Sequence, residues 1–205
     1  SGESKGEVSV HQGDAAQLSL DDESIEVVVL DPPYYDNVMY AELSDFFYVW
    51  LKNYLGDVYP SFFISDLTSK DQEAVANPSK FEGIAGESQS KQDLANQEYE
   101  SMMSNIFSET HRVLDDSGMF TVMFTHKKTE AWDTLTTALI EAGFIVTATH
   151  PISTENPHSL HIAGKNSAES TILLASEKRK TDTGGYTLWN EIQKETRQVA
   201  RQKAR

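Results

Sequence analysis

The chain has no cysteine among its 205 residues, which excludes disulfides and metal sites built on thiolates. It also has no apolar run of about 18 residues and no signal-peptide pattern, so the sequence indicates neither a membrane span nor secretion. Six histidines are present, but without the His-Glu-x-x-His spacing of zinc enzymes. We therefore expect a cytoplasmic protein with no metal ion and no membrane partner.

Positive charge is scarce as well. Lysine and arginine number 17 against 32 aspartates and glutamates, which gives a formal net charge of −15 and a poor match to a phosphate backbone. The basic residues are concentrated at the end of the chain. Residues 178–205 contain eight basic and three acidic residues, a net charge of +5, so the rest carries −20. Charge alone therefore leaves open whether the protein binds nucleic acid.

Strand and helix patterns alternate along the chain. The apolar runs are continuous rather than alternating, which is typical of strands covered on both faces of a sheet. Segments with helical spacing separate most of them, so the sequence predicts an α/β fold with a largely parallel sheet. The last two strands are joined without a helix, which allows an antiparallel pair at the sheet edge. The predicted strands are EVSVHQG, IEVVVL, MFTVMFTH, FIVTATHPI and STILLASEK.

The domain organisation follows from the same patterns. Apolar residues between Leu43 and Leu55 fall on one face of a helix, and we expect this stripe to pack in the core. Residues 65–96 are polar, and we expect a mobile excursion with a short helix near Gln72–Ala76. Residues 1–180 are assigned to one domain and residues 181–205 to a basic C-terminal helix or tail.

The sequence Asp31-Pro32-Pro33-Tyr34 ends the predicted strand VVVL. The prolines stop the strand, remove two amide donors and leave a rigid turn with carbonyl acceptors. The Asp31 carboxylate and the Pro32 carbonyl can accept both hydrogens of one exocyclic NH2 group, and Tyr34 offers a flat face to a flipped-out base. Ligands of α/β sheets bind at this end of the strands. The pattern suits methylation of a base amino group, and a tight turn with packed tyrosines is the alternative.

The tetrapeptide resembles the catalytic motif of S-adenosylmethionine-dependent amino-methyltransferases that act on adenine N6 or cytosine N4. The longer run DPPYYDNVMYAELSDFFYVWLK is similar to large archaeal and bacterial adenine-specific DNA methylases with an uncharacterised N-terminal domain. The resemblance covers most of residues 8–180. It implies a Rossmann-like methyltransferase fold, a three-layer sandwich whose mostly parallel sheet has an antiparallel edge strand. It also implies S-adenosylmethionine as cofactor, DNA as partner and adenine N6 as the target.

The resemblance assigns residues one by one. The catalytic positions are Asp31, Pro32, Pro33 and Tyr34. Gly13-Asp14-Ala15 resembles the segment in which an acid at a strand end faces the adenine of the cofactor, so Asp14 is assigned to cofactor binding. We expect Asp14 at the same sheet edge as Asp31, and a turn without a ligand is the alternative there.

Further residues are assigned to the substrate side. The family-specific extension provides Tyr35, Asp36 and Asn37, which we expect to line the mouth of the substrate site. Two weaker candidates lie on the same presumed face. His126-Lys127-Lys128 could meet a phosphate, and residues 153–156 could contact the substrate.

One expected element is missing. The aromatic-x-Gly-x-Gly cofactor loop of the family would precede Gly13, and residues 1–12 contain nothing like it. We therefore expect that the chain is the C-terminal part of a methyltransferase, lacks its first strands and is inactive alone, with the missing N-terminal part as a partner. Methylation of cytosine N4, RNA or a protein amide stays open, as does a non-catalytic module that binds nucleic acid or another chain.

Overall fold

The computed structural model describes residues 6–84, 89–152 and 171–180. In these ranges the chain forms four strands: β1 (Ile25–Leu30), β2 (Leu114–Phe124), β3 (Phe144–Ile152) and β4 (Thr171–Lys178). It also forms three α-helices, α1 (Tyr40–Leu55), α2 (Lys91–Val113) and α3 (Thr129–Glu141), and short 3-10 helices at Pro60–Phe62 and Pro78–Phe81. None of the helices in this part of the chain is long and apolar enough to cross a membrane.

The four strands form one sheet in the order β1-β2-β4-β3. Strands β1 and β2 pair in parallel, with Val28 opposite Phe120, and β4 runs antiparallel to both of its neighbours. Three strands therefore point one way and one points the other way. The prediction of a mostly parallel sheet with an antiparallel pair at its edge is confirmed, because β3 is an edge strand and pairs antiparallel with β4. The reversed strand itself lies inside the sheet.

The core lies between the sheet and helices α2 and α3. Phe120 of β2 is in contact with Phe107 of α2, with ring centroids 5.5 Å apart, and with Phe144 of β3 at 4.8 Å. Residues on the other face of the sheet stay exposed in the described part of the chain, Val27 and Val29 among them. The helices therefore hold the sheet from one side.

The apolar stripe of α1 does not pack in this core. Phe46, Phe47, Trp50 and Tyr54 are each more than half exposed, and Ala41 is the buried residue of the helix. The prediction that the stripe is a core face is therefore wrong for the described residues. Periodicity shows that one face of a helix is apolar, but it does not show which element covers that face.

The polar segment after α1 returns to the core. Ala74 to Asn77 are buried, and the Ala76 amide donates to the Tyr35 carbonyl at 3.0 Å. The segment is held against the core at these residues, in contrast to the expected mobile excursion, and it has no helix at Gln72–Ala76. The following helix α2 begins with a capping box, in which Ser90 and Asp93 bond to each other's backbone amides.

The first predicted strand is also absent. Residues 7–13 form no strand, and Val8 and Val10 are 85% and 91% exposed. A β-strand needs a neighbouring strand for its backbone hydrogen bonds, and no described strand lies next to this segment. The predictions for residues 153–156 and 181–205 lie outside the described residues.

The position of the core generates a prediction. Phe107→Ala is expected to lower the free energy of unfolding by about 3–5 kcal/mol, because it leaves a cavity in a fully packed site. Phe47→Ala is the matched control, and it is expected to change stability by less than about 0.5 kcal/mol because the ring is exposed. Urea unfolding of the two variants measures both values. Equal losses would show that the α1 stripe is part of the core.

Candidate active site

The Asp-Pro-Pro-Tyr turn, residues 31–34, follows directly after β1, at the carboxyl end of the strand. The turn lines a cleft with a volume of about 350 Å³, together with the side chain of Tyr40 from the first turn of α1. The volume is within the range of small-ligand sites, and its position is where open α/β sheets bind ligands. The structure thus brings the four predicted catalytic residues together in one cleft.

The acid and the aromatic ring of the turn are directly linked. The Tyr34 hydroxyl donates a hydrogen bond of 2.6 Å to Asp31 Oδ1. Burial and this bond to a carboxylate raise the pKa of Tyr34, so the phenol keeps its proton and remains a donor. The edge of the Tyr34 ring meets Phe124 at the end of β2, with centroids 5.6 Å apart. The other carboxylate oxygen of Asp31 has no hydrogen-bond partner among the described residues, and it lies beside a ring whose orientation is fixed.

The turn is anchored from α2. The Tyr99 hydroxyl donates to the Pro33 carbonyl at 3.1 Å, and Tyr99 is fully buried. Burial raises the pKa of Tyr99, so this phenol also stays protonated. A buried hydrogen bond of this kind fixes the second proline of the turn on the side of the core, because breaking it would leave a buried polar group without its partner.

Tyr35 lies under the turn. Its φ of +58° is a left-handed conformation, which is uncommon for a residue with a Cβ. The side chain is only 2% exposed, its hydroxyl donates to Asn96 Oδ1 at 2.5 Å, and its ring meets Tyr99 edge-on at 5.3 Å. Tyr35 was predicted to line the substrate mouth. Its burial supports a structural part in the turn instead.

The other two residues of the extension are closer to the surface. The Asp36 carboxylate bonds to His126, with Nε2 2.9 Å from Oδ1, and to the Lys128 ammonium. Asn37 is exposed, and its amide donates to the Tyr34 carbonyl at 3.1 Å. Asn37 thus remains free to meet a substrate, whereas Asp36 is engaged within the protein.

Asp14 lies elsewhere. It shares a cleft with Glu109 and Arg112, in the last turns of α2, which end where β2 begins. The Leu18 amide donates to Glu109 at 2.7 Å, and Arg112 bonds to the Leu18 carbonyl, which ties this segment to the helix. The expectation that Asp14 shares a sheet edge with Asp31 is therefore wrong. Because the expected first strand does not form, Asp14 does not lie at the carboxyl end of a strand in the sheet.

Several site residues were not found from the sequence. Tyr40 and Tyr99 follow helical patterns and look like packing residues, and Asn96 lies in the segment that was expected to be mobile. The pairing of His126 and Lys128 with Asp36 joins positions 90 and 92 residues apart. The sequence indicates this contact only in that the segments containing Asp36 and His126 each follow a predicted strand.

The predicted site residues line two different clefts, one at the Asp-Pro-Pro-Tyr turn and one at Asp14. Asp14 is separated from Asp31, and a glycine-rich loop is absent from residues 1–12. No group of three or more potential metal ligands occurs in the described ranges.

Comparison with known proteins shows the family of the chain. Residues 25–205 match a family model described as DNA methylase. The match contains the Asp-Pro-Pro-Tyr turn and every helix and strand of the structure, whereas Asp14 lies outside it. No curated protein matches the chain. Together with the sheet, the family match confirms the predicted methyltransferase-like α/β fold.

The contacts around Asp14 predict a dependence of stability on pH. Hydrogen bonds from Arg112 and from the Leu18 amide lower the pKa of Glu109 from 4.5 to about 2. The folded state therefore binds this proton less readily than the unfolded state, so the stabilisation is complete above about pH 4.5 and is lost as the pH falls towards about 2. Urea unfolding at several pH values measures this loss.

Glu109→Gln removes this titrating group and is expected to reduce the slope of the profile between these pH values, to which Asp45, Asp93 and Asp115 also contribute. Glu141→Gln, at the exposed end of α3, controls for the removal of a surface carboxylate. If Glu109→Gln kept the slope of the wild-type chain, the assignment of the loss to Glu109 would fail.

Proposed function

We propose, from the premise that this chain belongs to the DNA methylase family, that it acts in the transfer of a methyl group from S-adenosylmethionine to the N6 amino group of adenine in DNA. One observation carries the proposal beyond the family. Asp31 and Tyr34 lie side by side in one cleft at the end of β1, with the prolines between them. An acceptor and a stacking face in one cleft are what a base amine requires.

In this proposal, each residue of the turn has its own role in binding the target base. The free oxygen of Asp31 and the Pro32 carbonyl accept hydrogens from the target NH2 group, which orients its nitrogen for attack. Tyr34 stacks against the base, a contact that contributes about 1–3 kcal/mol. Its hydrogen bond to Asp31 keeps the carboxylate in place while the base enters. Asn37, exposed beside the turn, is the candidate for contact with the substrate.

S-adenosylmethionine would supply an electrophilic methyl group. In this proposal the described residues provide the amine side of the reaction, and none of them is assigned to the methionine end of the donor. Asp14 remains a predicted contact to the cofactor without support from its position. Cytosine N4 presents the same NH2 group to the turn, so the methylated nucleoside, identified by mass spectrometry, decides between the two bases.

The role of Asp31 is tested in an enzyme preparation that methylates duplex DNA. Asp31→Ala is expected to lower kcat by more than about 100-fold, because the carboxylate acts on the amine as charge develops. The dissociation constant of the cofactor should change little, since Asp31 is assigned to the target base. Tyr34→Phe keeps the stacking ring and should retain more activity than Tyr34→Ala. Transfer of a tritiated methyl group to duplex DNA measures these effects.

Asp57→Ala, in the exposed loop after α1, is the matched control and should leave kcat unchanged. If Asp31→Ala kept kcat within about threefold of the wild type, a catalytic role of Asp31 would be excluded.

A second prediction concerns the chain by itself. Because it lacks a glycine-rich loop and holds Asp14 away from the turn, residues 1–205 are expected to bind S-adenosylmethionine with a dissociation constant above about 1 mM. The chain alone should methylate no DNA. Titration calorimetry in low and in molar salt tests this, and micromolar binding would show that other residues form the cofactor site.

A further inference from the structure

Asp36 joins the ends of two neighbouring strands. It lies in the turn after β1, and both of its partners, His126 and Lys128, lie in the loop between β2 and α3. The His126 Nε2 atom is 2.9 Å from Oδ1, and the Lys128 ammonium bonds to Oδ2. Each carboxylate oxygen thus has a partner within the protein, which makes Asp36 an internal link rather than an acceptor for a substrate.

The geometry around His126 fixes which of its nitrogens donates. The Lys128 backbone amide donates to His126 Nδ1 at 3.1 Å, so in the neutral ring the proton lies on Nε2 and points to Asp36. The His126 side chain is only 3% exposed, and its carbonyl accepts a hydrogen bond of 2.9 Å from Trp132 Nε1 on α3. Two hydrogen bonds therefore hold the imidazole ring and a third holds the His126 backbone, so the ring presents a fixed donor.

Lys128 completes the link from the solvent side. Its side chain is half exposed, and the hydrogen bond to Asp36 raises the pKa of its ammonium group. The same ammonium lies 5.8 Å from the centre of the Tyr35 ring, and the His126 ring meets Tyr35 edge-on at 5.3 Å. The link thus encloses Tyr35, whose left-handed backbone is unfavourable without support from its surroundings.

We infer that Asp36 is a positioning residue, which clamps the corner at Tyr35 to the loop after β2 and thereby fixes the Asp-Pro-Pro-Tyr turn. The inference rests on the proposed function, in which this turn holds the target amine. Asp36 acts through Tyr35 and the two amides that close the corner. The Tyr35 amide donates to the Pro33 carbonyl at 3.0 Å, and the Asn37 amide donates to the Tyr34 carbonyl at 3.1 Å.

Hydrogen exchange of these two amides in the isolated chain tests the inference without any need for catalysis. Asp36→Asn keeps the size of the side chain but removes its charge, and exchange at Tyr35 and Asn37 is expected to accelerate by about tenfold or more. Lys128→Met should increase exchange less than Asp36→Asn does. Lys128→Arg keeps the positive charge and should leave exchange as slow as in the wild type. Because Lys128 is at the surface, these variants remain informative if Asp36→Asn does not fold.

Asp66→Asn is the matched control. It removes one charge from an exposed ion pair, in which Asp66 lies 3.1 Å from the Lys52 ammonium. Neither residue belongs to the turn. If exchange at Tyr35 and Asn37 in Asp36→Asn and Lys128→Met equalled that in Asp66→Asn, the inference would be overturned.

Kinetics in the methylation-competent enzyme separate this inference from the proposed function. Asp36→Asn is expected to lower kcat by about tenfold and to leave the KM for the cofactor unchanged, because the turn is loosened while its catalytic groups remain. Faster exchange with an unchanged kcat would contradict a positioning role. If this enzyme methylated a protein amide instead of a base while exchange still responded to Asp36→Asn, the proposed function would fail and the positioning role would stand.

Discussion

The Asp-Pro-Pro-Tyr turn has fewer backbone amide donors than most turns, because two of its four residues are prolines. The prolines have no amide hydrogens, so the turn must be fixed through its carbonyls and its side chains. The buried hydrogen bond from Tyr99 to the Pro33 carbonyl provides that anchor. It depends on helix α2 being packed in the core, and the orientation of Asp31 and Tyr34 depends on it in turn.

The remaining contacts of the turn act around this bond. The Ala76 amide holds the Tyr35 carbonyl from the segment after α1, and the link through Asp36 holds the corner from the β2–α3 loop. Three separate parts of the chain therefore contact three residues, Pro33, Tyr35 and Asp36. Such support keeps the turn in one geometry, and under the proposed function its preorganised acceptors need no rearrangement when charge develops.

The sequence predicted much of the architecture, and the reasons are local. A continuous run of valines ended by two prolines identifies β1 and its turn, because strand and breaker signals both depend on neighbouring residues. The antiparallel pairing of β3 with β4 was in part predictable, because the sequence between the two strands has no helical pattern. The four residues of the turn line one cleft, as expected from their place at the end of β1, and their catalytic role stays a prediction.

The failures concern contacts between distant residues. Whether Phe47 is covered depends on an element that the helix pattern does not contain, and the burial of Ala76 depends on Tyr35, about 40 residues earlier in the sequence. Asp14 was assigned by resemblance to a strand end, but the strand did not form and the residue lies against α2. The sequence could not show that both carboxylate oxygens of Asp36 have partners, because His126 and Lys128 follow a different strand.

The account depends most directly on the claim that the turn receives an exocyclic amine. It is tested by titrating the 15N-labelled chain with deoxyadenosine and, in parallel, with purine deoxyriboside, which lacks the amino group. The account predicts that deoxyadenosine shifts the amide signals of Asp31, Tyr34 and Tyr40 and that the analogue without the amine shifts them far less. Equal shifts with both nucleosides, or shifts only at residues outside this cleft, would contradict it.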